Sequence, residues 1–333
     1  GRRTHHREMS QGPAPIALTC CEPAGVGVEI AAKLWHRRAE CPPFFLIGDP
    51  RHLPAGTPHR VIAHPTEAAA ALPHGLPVLD HPFDGARVPG LPQPAHAAQI
   101  IAVIARAVAL PQSGAASALC TLPIHKKALK DGAGFAFPGH TEYLAHLAGQ
   151  RDVVMMLACA DLRVVPTTIH IPLAEVPRAL TPELLTTTIT LTHAALIRDF
   201  GISAPRLAVA GLNPHAGEGG AIGTEELSFI VPLIAKLAAT GMNITGPLPA
   251  DTMFHPAARA RYDAAICMYH DQALIPIKTI DFAGGVNVTL GLPFRRTSPD
   301  HGTAFDIAGT GRADETSTLN ALQMAAQMSA YRA

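Results

Sequence analysis

Three histidines, His170, His215 and His270, each stand at the end of an apolar run that is typical of a buried strand. They are too far apart in sequence for a local metal motif, so their spacing alone does not support a metal site. The carboxyl ends of the strands in an open α/β sheet meet in one crevice, however, and three neutral imidazoles suit a divalent transition metal such as zinc. A lone histidine at a strand end is more often structural, but three of them favour a metal centre.

Charged residues surround the last of these histidines. Asp271 comes directly after His270, and Lys278 follows in the same stretch of chain. Asp271 is a candidate for general acid or base catalysis, as is Asp251 in the segment Gly246–Thr252. Either carboxylate could instead cap a turn or orient a histidine from behind, and the sequence leaves these alternatives open.

Cationic and amide side chains gather around a later apolar run, Val286–Leu290. They are Lys278, Asn287, Arg295 and Arg296. The fork of donors on arginine and the ammonium of lysine suit a phosphate or a carboxylate. The alternative is a solvated basic patch beside a turn. We therefore expect a binding site for an anion near this run.

The elements that must position these residues begin with a strand, a glycine-containing loop and a helix. Pro15–Thr19 predicts the strand, Cys20–Gly27 the loop and Val28–Arg38 the helix. This layout is typical of a turn that faces a phosphate or a cofactor, but the loop lacks the G-x-G-x-x-G dinucleotide fingerprint. Strands and helices alternate along the rest of the chain, and this alternation predicts an α/β fold.

Several local predictions concern segments close to the candidate residues. Thr141 is expected to start a helix with His140 just before it, and Ala160-Asp161 is expected to form a tight turn between two strands. Gly246–Thr252 and Arg295–Thr303 are predicted to be irregular or polar loops. These loops would carry Asp251 and both arginines of the anion site.

The bulk composition excludes several classes of protein. With 26 basic and 26 acidic residues among 333 and no basic cluster, non-specific nucleic-acid binding is not expected. No apolar run reaches the ~18 residues of a membrane span, and the longest, Gln99–Leu110, is interrupted by Arg106. The six cysteines form no C-x-x-C pair, which predicts reduced thiols in a cytoplasmic protein. Gly1–Glu8 is polar and is left out of the fold prediction.

The order of longer motifs adds a family resemblance. FPGHTEYLA, TTIHIPL, GLNPHAGEGGAIGTEE, GPLPADTMF, MYHDQ and GVNVTLGLPFRRTSPDHGTAFDIAG follow one another along the chain. In this order they resemble the 4-hydroxythreonine-4-phosphate dehydrogenase family of pyridoxal 5′-phosphate biosynthesis, from about Pro15 to the C-terminus. The resemblance implies a two-domain isocitrate/isopropylmalate dehydrogenase-like α/β fold with the active site in the interdomain cleft. The first domain would comprise residues 10–130 and 286–333, and the second residues 131–285, with the metal ligands and the dimer interface.

The resemblance also implies roles for particular residues. A divalent metal, with zinc favoured over magnesium or cobalt, would be bound by His170, His215 and His270. The substrate contacts would be His140, Thr141, Lys278, Asn287 and Arg296. Catalytic acids or bases would be drawn from Asp271, Asp251 and Lys278. A cofactor segment, His301–Gly309, would bind NAD or NADP through His301, Gly302 and Asp306. A homodimer with shared active sites is expected.

One position departs from the family pattern. Cys21 stands where the family usually has glycine before Glu-Pro-Ala-Gly. A side chain at this position is unfavourable if the backbone φ is positive. This departure bears on the conformation of the loop and on the fit of the substrate, but not on the metal ligands.

The implied reaction is oxidation of 4-phosphooxy-L-threonine at C3 followed by decarboxylation to 3-amino-2-oxopropyl phosphate. A related dehydrogenase of a 4-phospho sugar acid, phosphoerythronate or phosphothreonate, would need the same histidines and anion contacts. An acyl or phosphoacyl transferase on the related fold would need neither the histidines nor a nicotinamide cofactor. A catalytically silent metal- or phosphate-binding protein is the third alternative.

Overall fold

The fold is built on one large mixed sheet with helices packed against it. The computed structural model describes residues 12–331, so Gly1–Glu8 lies outside the described residues. Within them the strands are β1 Ile16–Thr19, β2 Phe44–Gly48, β3 His59–Ile62, β4 Leu76–Asp80, β5 Ala118–Thr121, β6 Val154–Cys159, β7 Leu162–Pro166, β8 Arg206–Ala210, β9 Asn243–Leu248, β10 Ala264–Cys267, β11 Val286–Leu290 and β12 Arg296–Pro299.

The strand order is β3-β4-β2-β1-β5-β12-β11-β6-β7-β10-β8-β9. The pairs are parallel except around the middle, where β11 runs antiparallel to both β12 and β6, and β6 runs antiparallel to β7. The chain returns from its C-terminal part to place β12 beside β5. The predicted α/β fold class is confirmed, while the predicted domain boundaries stay a prediction.

The helices cover the sheet and bury apolar residues against it. They are α1 Gly27–His36, α2 Ala68–Ala71, α3 Ala97–Ser113, α4 Lys126–Ala133, α5 His140–Leu147, α6 Val176–Ala179, α7 Pro182–Arg198, α8 Val231–Ala238, α9 Pro256–Arg259, α10 His270–Ile280 and α11 Thr316–Ala330. Phe44, Phe45 and Leu18, which are among the largest fully buried side chains, come from strands that are buried along their whole length. Continuous burial is what a parallel sheet with helices on both faces requires.

Helix α3 is long and apolar. The segment Pro94–Ser113 is long and apolar enough, by composition, to cross a membrane. Its side chains at Ile100, Val103 and Ile104 are buried in the core. We therefore interpret it as a core helix that packs on the sheet.

Two local predictions differ from the structure. The predicted polar loop Arg295–Thr303 contains strand β12, and the predicted loop Gly246–Thr252 begins as part of strand β9. The backbone of the first segment pairs with β5 and that of the second with β8, both distant in sequence, and this pairing overrides the local signal. The apolar segment that separates His270 from Lys278 is helix α10.

Candidate functional site

Arg296 lies at the centre of the most unusual polar cluster in the sheet. Its guanidinium donates from Nε and Nη2 to Oγ1 of Thr121 at 3.0 and 2.8 Å, and from Nη1 to Oγ1 of Thr141 and Thr289 at 3.0 and 2.8 Å. The side chain is buried, with 4% exposure, and no carboxylate of the described residues forms an ion pair with it. Burial lowers the pKa of Arg296 to about 10, so the group stays charged at neutral pH.

The register of strands β11 and β12 places further polar residues beside this guanidinium. Thr289 pairs with Arg296 across the two strands, and Asn287 pairs with Ser298. Residues that face each other across an antiparallel pair share one face of the sheet, as do residues two apart on one strand. Asn287, Thr289, Arg296 and Ser298 therefore form one polar face, which includes two of the residues predicted to contact the substrate.

Helix α5 brings two more of the five predicted contacts to the same place. His140 is the first residue of the helix, after the extended Gly139, and Thr141 follows it into contact with Arg296. The Nε2 atom of His140 is buried without a hydrogen-bond partner among the described residues. Burial, together with the positive charge of Arg296, lowers the pKa of His140, so the ring is neutral. A buried polar atom of this kind is usually satisfied by a ligand or water.

His170 and His270 lie side by side, with ring centroids 5.6 Å apart. His270 begins helix α10, and its Nδ1 lies 2.7 Å from the Oδ1 of Asp271. Because an ionised carboxylate only accepts hydrogen bonds, Nδ1 of His270 is the donor in this contact. Burial, followed by the nearby charge of His270, lowers the pKa of His170, which favours the neutral ring. The two rings border a cavity of about 350 Å³.

His215 is not part of this pair. Over residues 12–331 no three histidine, cysteine, aspartate or glutamate side chains of one chain come together as a metal site. His215 lies in the segment Pro214–Gly220, where the six consecutive residues 215–220 have positive φ. The segment is fixed by Glu226, whose buried carboxylate accepts from the backbone N–H of Asn213 at 2.8 Å. The short turn that carries the exposed Asp251 packs beside it.

Lys278 stands at the other end of helix α10 from His270. Eight residues separate them, which at ~1.5 Å per residue is about 12 Å along the helix. The ammonium lies 3.2 Å from the carboxylate of Asp300, which follows strand β12. Helix α10 thus carries one predicted metal ligand and one predicted substrate contact at opposite ends.

The predicted cofactor segment packs against the first loop of the chain. Gly25 lies so close to Thr303 that an added Cβ would be 2.8 Å from its carbonyl oxygen. The Nε2 atom of His301 is buried and has no hydrogen-bond partner among the described residues. Gly302 and Asp306, the other two predicted cofactor contacts, are exposed. The contact places the end of strand β1 next to the segment, which is compatible with a cofactor in that crevice.

Cys21 has the positive φ that is unfavourable for any residue other than glycine. Its φ is +47°, in the left-handed region, and its buried thiol lies 3.2 Å from the hydroxyl of Thr19. A left-handed conformation costs a non-glycine residue ~1–2 kcal/mol. The first loop therefore has the strained backbone that the replacement of glycine by Cys21 predicts.

In most buried positions an alanine variant is more stable than a glycine variant, but at Cys21 we expect the reverse order. Ala loses the thiol and keeps the strain, whereas Gly loses the thiol and relieves it. We expect Cys21→Gly to be more stable than Cys21→Ala by about 1 kcal/mol, measured by urea unfolding. A more stable Ala variant would mean that the loop is relaxed in solution.

Glu22, the next residue, is a buried carboxyl group that sequence reasoning did not select. It is 2% exposed, and its Oε2 has no hydrogen-bond partner among the described residues. Burial raises the pKa of Glu22 from 4.5 to about 7, against the opposing hydrogen bond from the backbone of Ala24. Only its position after a predicted strand could have indicated it.

This shift predicts a loss of stability with rising pH. The folded state holds the proton more tightly than the unfolded chain, so stability falls as the pH rises from about 4.5 to 7. A shift of this size corresponds to about 3 kcal/mol. We expect Glu22→Gln to remove this fall, measured as unfolding free energies of both proteins at pH 5 and pH 8 without ligands. Parallel pH dependences would show that Glu22 ionises normally.

Two threonines of the cluster around Arg296, Thr121 and Thr289, were also missed. Both lie within or at the end of buried strands, where a threonine has no distinctive signal. The structure brings together the predicted residues His140, Thr141, Asn287 and Arg296, and separately His170 with His270. It does not bring His215 to that pair within one chain.

These features are those of an α/β enzyme with a buried guanidinium on a polar sheet face and histidines that follow its strands. The model of the family described as pyridoxal phosphate biosynthetic protein PdxA matches residues 39–325. The chain belongs to this family.

Individual relatives agree with this assignment. The chain is 64% identical over 324 residues to 4-hydroxythreonine-4-phosphate dehydrogenase of Roseobacter denitrificans, covering 97% of this chain and 99% of the relative. It is 63% identical over 322 residues to the enzyme of that name from Paracoccus denitrificans, covering 96% and 98%. The crystal structure of 4-hydroxythreonine-4-phosphate dehydrogenase from Klebsiella pneumoniae superposes with a TM-score of 0.88 at 40% identity, covering 96% of this chain and 99% of that one.

Proposed function

We propose that this protein oxidises 4-phosphooxy-L-threonine with NAD. The C3 hydroxyl loses its proton while C3 transfers a hydride to NAD, which becomes NADH. The resulting ketone lies β to the carboxylate, so loss of CO2 and uptake of a proton give 3-amino-2-oxopropyl phosphate. The product serves pyridoxal 5′-phosphate biosynthesis. Family membership supports the reaction class, and the relatives' name supports this substrate.

The buried guanidinium of Arg296 is the observation that carries the proposal. A charge held only by neutral hydroxyls is costly to bury, and an anion would compensate it. Arg296 and Thr141 would bind an anionic group of the substrate, with the unpaired Nε2 of His140 beside it. Asn287 on the same face and Lys278 at the end of helix α10 would contact the rest of the molecule.

The histidines fit a divalent metal, for which we favour zinc. His170 and His270 lie side by side, the lowered pKa of His170 favours its neutral ring, and Asp271 orients His270. When bound, the metal would lower the pKa of the substrate hydroxyl and stabilise negative charge on oxygen. The third ligand, His215, would come from the other subunit of a homodimer.

Exposed apolar side chains support a dimer near the histidine pair. Leu173 and Ile275 are 68% and 64% exposed, and Phe282 is 78% exposed. Leu173 borders the same cavity as His170 and His270. Side chains of this kind are commonly covered by a partner.

The proton acceptor is drawn from the remaining charged groups. Asp271 is engaged with His270, so we assign it to positioning that ring. Lys278, held by Asp300, and the exposed Asp251 remain the two candidates for the base. The pH dependence of kcat in variants of each would separate them.

The cofactor would lie along His301–Gly309, with His301, Gly302 and Asp306 as contacts. We assign NAD rather than NADP from the family resemblance. The six free cysteines support a reducing, cytoplasmic setting.

Steady-state NADH formation tests the proposal. We expect turnover of 4-phosphooxy-L-threonine with NAD, loss of turnover after chelation of divalent metals, and recovery with zinc. 4-Phosphoerythronate serves as the comparison substrate. Faster oxidation of the sugar acid would assign the protein to the related 4-phospho sugar acid reaction instead, and no NADH with either substrate would reject the dehydrogenase function.

A further inference from the structure

A buried ion pair joins the first helix to the end of the predicted cofactor segment. The carboxylate of Glu29, in the first turn of α1, accepts from Arg87 Nη2 at 3.0 Å and from the backbone N–H of Gly309 at 2.9 and 3.1 Å. The Glu29 and Arg87 side chains are only 7% and 10% exposed. Gly309 is the last residue of the segment, so its position depends on Glu29.

Arg87 also forms hydrogen bonds with the loop that follows strand β1, on the other side of the crevice. Its Nε donates to the carbonyl of Pro23 at 2.7 Å, and its Nη2 donates to that of Gly25 at 3.2 Å. Both carbonyls belong to the loop after strand β1. One guanidinium thus connects this loop to the carboxylate that fixes the cofactor segment.

Arg87 is carried by residues 84–93, here called the strap, which lie across both loops. Gly90 donates its N–H to Ala24 at 2.8 Å, and its Cα approaches the cofactor segment so closely that a Cβ would lie 3.0 Å from the carbonyl oxygen of Phe305. Its φ of +81° also requires glycine. The strap is anchored at its start, where His52 Nε2 lies 3.0 Å from the carbonyl of Gly85 and His96 Nε2 lies 2.9 Å from that of Asp84.

We propose that the Glu29–Arg87 pair is a positioning device that sets the cofactor segment at the distance from the first loop that the nicotinamide nucleotide requires. This inference rests on the proposed assignment of His301–Gly309 to the cofactor. Neither side chain touches the polar face around Arg296 or the histidine pair. Loss of the pair should therefore weaken cofactor binding and leave the chemistry and substrate binding intact.

The test uses the intact enzyme and four variants. Arg87→Met removes all three donations, Arg87→Lys keeps the charge, and Glu29→Gln keeps an acceptor for Gly309. Arg198→Met is the matched control, because Arg198 also donates to a buried carboxylate, Asp199, and to a backbone carbonyl, but in the other half of the sheet. Dissociation constants for NADH are measured by its fluorescence without substrate, alongside kcat and both KM values.

We expect Arg87→Met to raise the dissociation constant for NADH and the KM for NAD by about tenfold, with kcat and the substrate KM within about twofold of wild type. Arg87→Lys should be intermediate and Arg198→Met unchanged. Unaltered NADH binding in folded Arg87→Met, or an equal fall in kcat, would overturn the inference.

Results that would reject the proposed function differ from those that would reject the positioning role of the Glu29–Arg87 pair. If Arg87→Met does not fold, Arg87→Lys and Glu29→Gln decide by the same measurements. NADH binding by the wild type without turnover of the phosphorylated substrate rejects the substrate assignment but still tests the pair. A wild type that binds no NADH rejects both the cofactor and the inference.

Discussion

Arg296→Met is expected to lower kcat/KM for 4-phosphooxy-L-threonine by about 10²- to 10³-fold. The guanidinium is held in place by Thr121, Thr141 and Thr289 before any ligand arrives, so little order must be gained on binding. Charge-assisted hydrogen bonds to an anion in a buried site contribute about 3–4 kcal/mol, which corresponds to that loss. Steady-state kinetics over a wide substrate range would measure it.

The same substitution should stabilise the ligand-free protein. Without an anion, the buried charge of Arg296 is compensated only by hydroxyl groups, and a methionine of similar length avoids this cost. We expect a gain of about 1 kcal/mol in the free energy of unfolding. Opposite signs for stability and catalysis distinguish a binding group from a structural one.

Arg295→Met is the matched control for this prediction. Arg295 is adjacent in sequence and carries the same charge, but its Nε lies 3.1 Å from the buried Asp199. Its loss should lower stability and leave the substrate KM unchanged. Inorganic phosphate should raise the melting temperature of the wild type and of Arg295→Met but not that of Arg296→Met. If Arg296→Met is less stable than the wild type and retains the effect of phosphate, the anion-site assignment is wrong.

The site residues that lie in or directly after buried strands could be predicted from the sequence alone. His270 and Asp271 follow an apolar run, and Asn287, a predicted substrate contact, lies within another; the length and composition of both runs identify them as buried strands. Such runs are decided by local composition, so they can be recognised without knowledge of their neighbours. Helix α3 was predictable from the helical spacing of its apolar residues, and helix α7 from its capping residue Thr181 and the proline that follows it.

Pairing over long distances was not predictable. Arg296 was expected in a polar loop, because its neighbours Arg295 and Thr297 give no apolar alternation. Its strand exists since β5 and β11 supply hydrogen-bonding edges on both sides. The same pairing buries the guanidinium against Thr121, and no local pattern could have indicated that contact.

Replacing any one of the three predicted metal ligands by alanine is expected to reduce turnover by more than about 10³-fold. A three-histidine site that loses one ligand binds its metal far more weakly, and the metal stabilises charge that develops on oxygen. Zinc content after dialysis and NADH formation would be measured for His170→Ala, His215→Ala and His270→Ala. Asp271→Asn should weaken zinc binding about 10- to 100-fold, because it alters the partner of His270.

His215→Ala is the informative member of this set, because His215 does not join the pair of His170 and His270 within one chain over the described residues. If it acts across a homodimer, mixing the inactive His215→Ala and His270→Ala proteins should restore activity. Half of the randomly exchanged dimers would be mixed, and each would hold one intact site, so about one quarter of wild-type activity should return. Mixing His170→Ala with His270→Ala should restore none, because both residues would serve the same site. Equal failure of both mixtures, with subunit exchange verified, would place His215 outside a shared metal site.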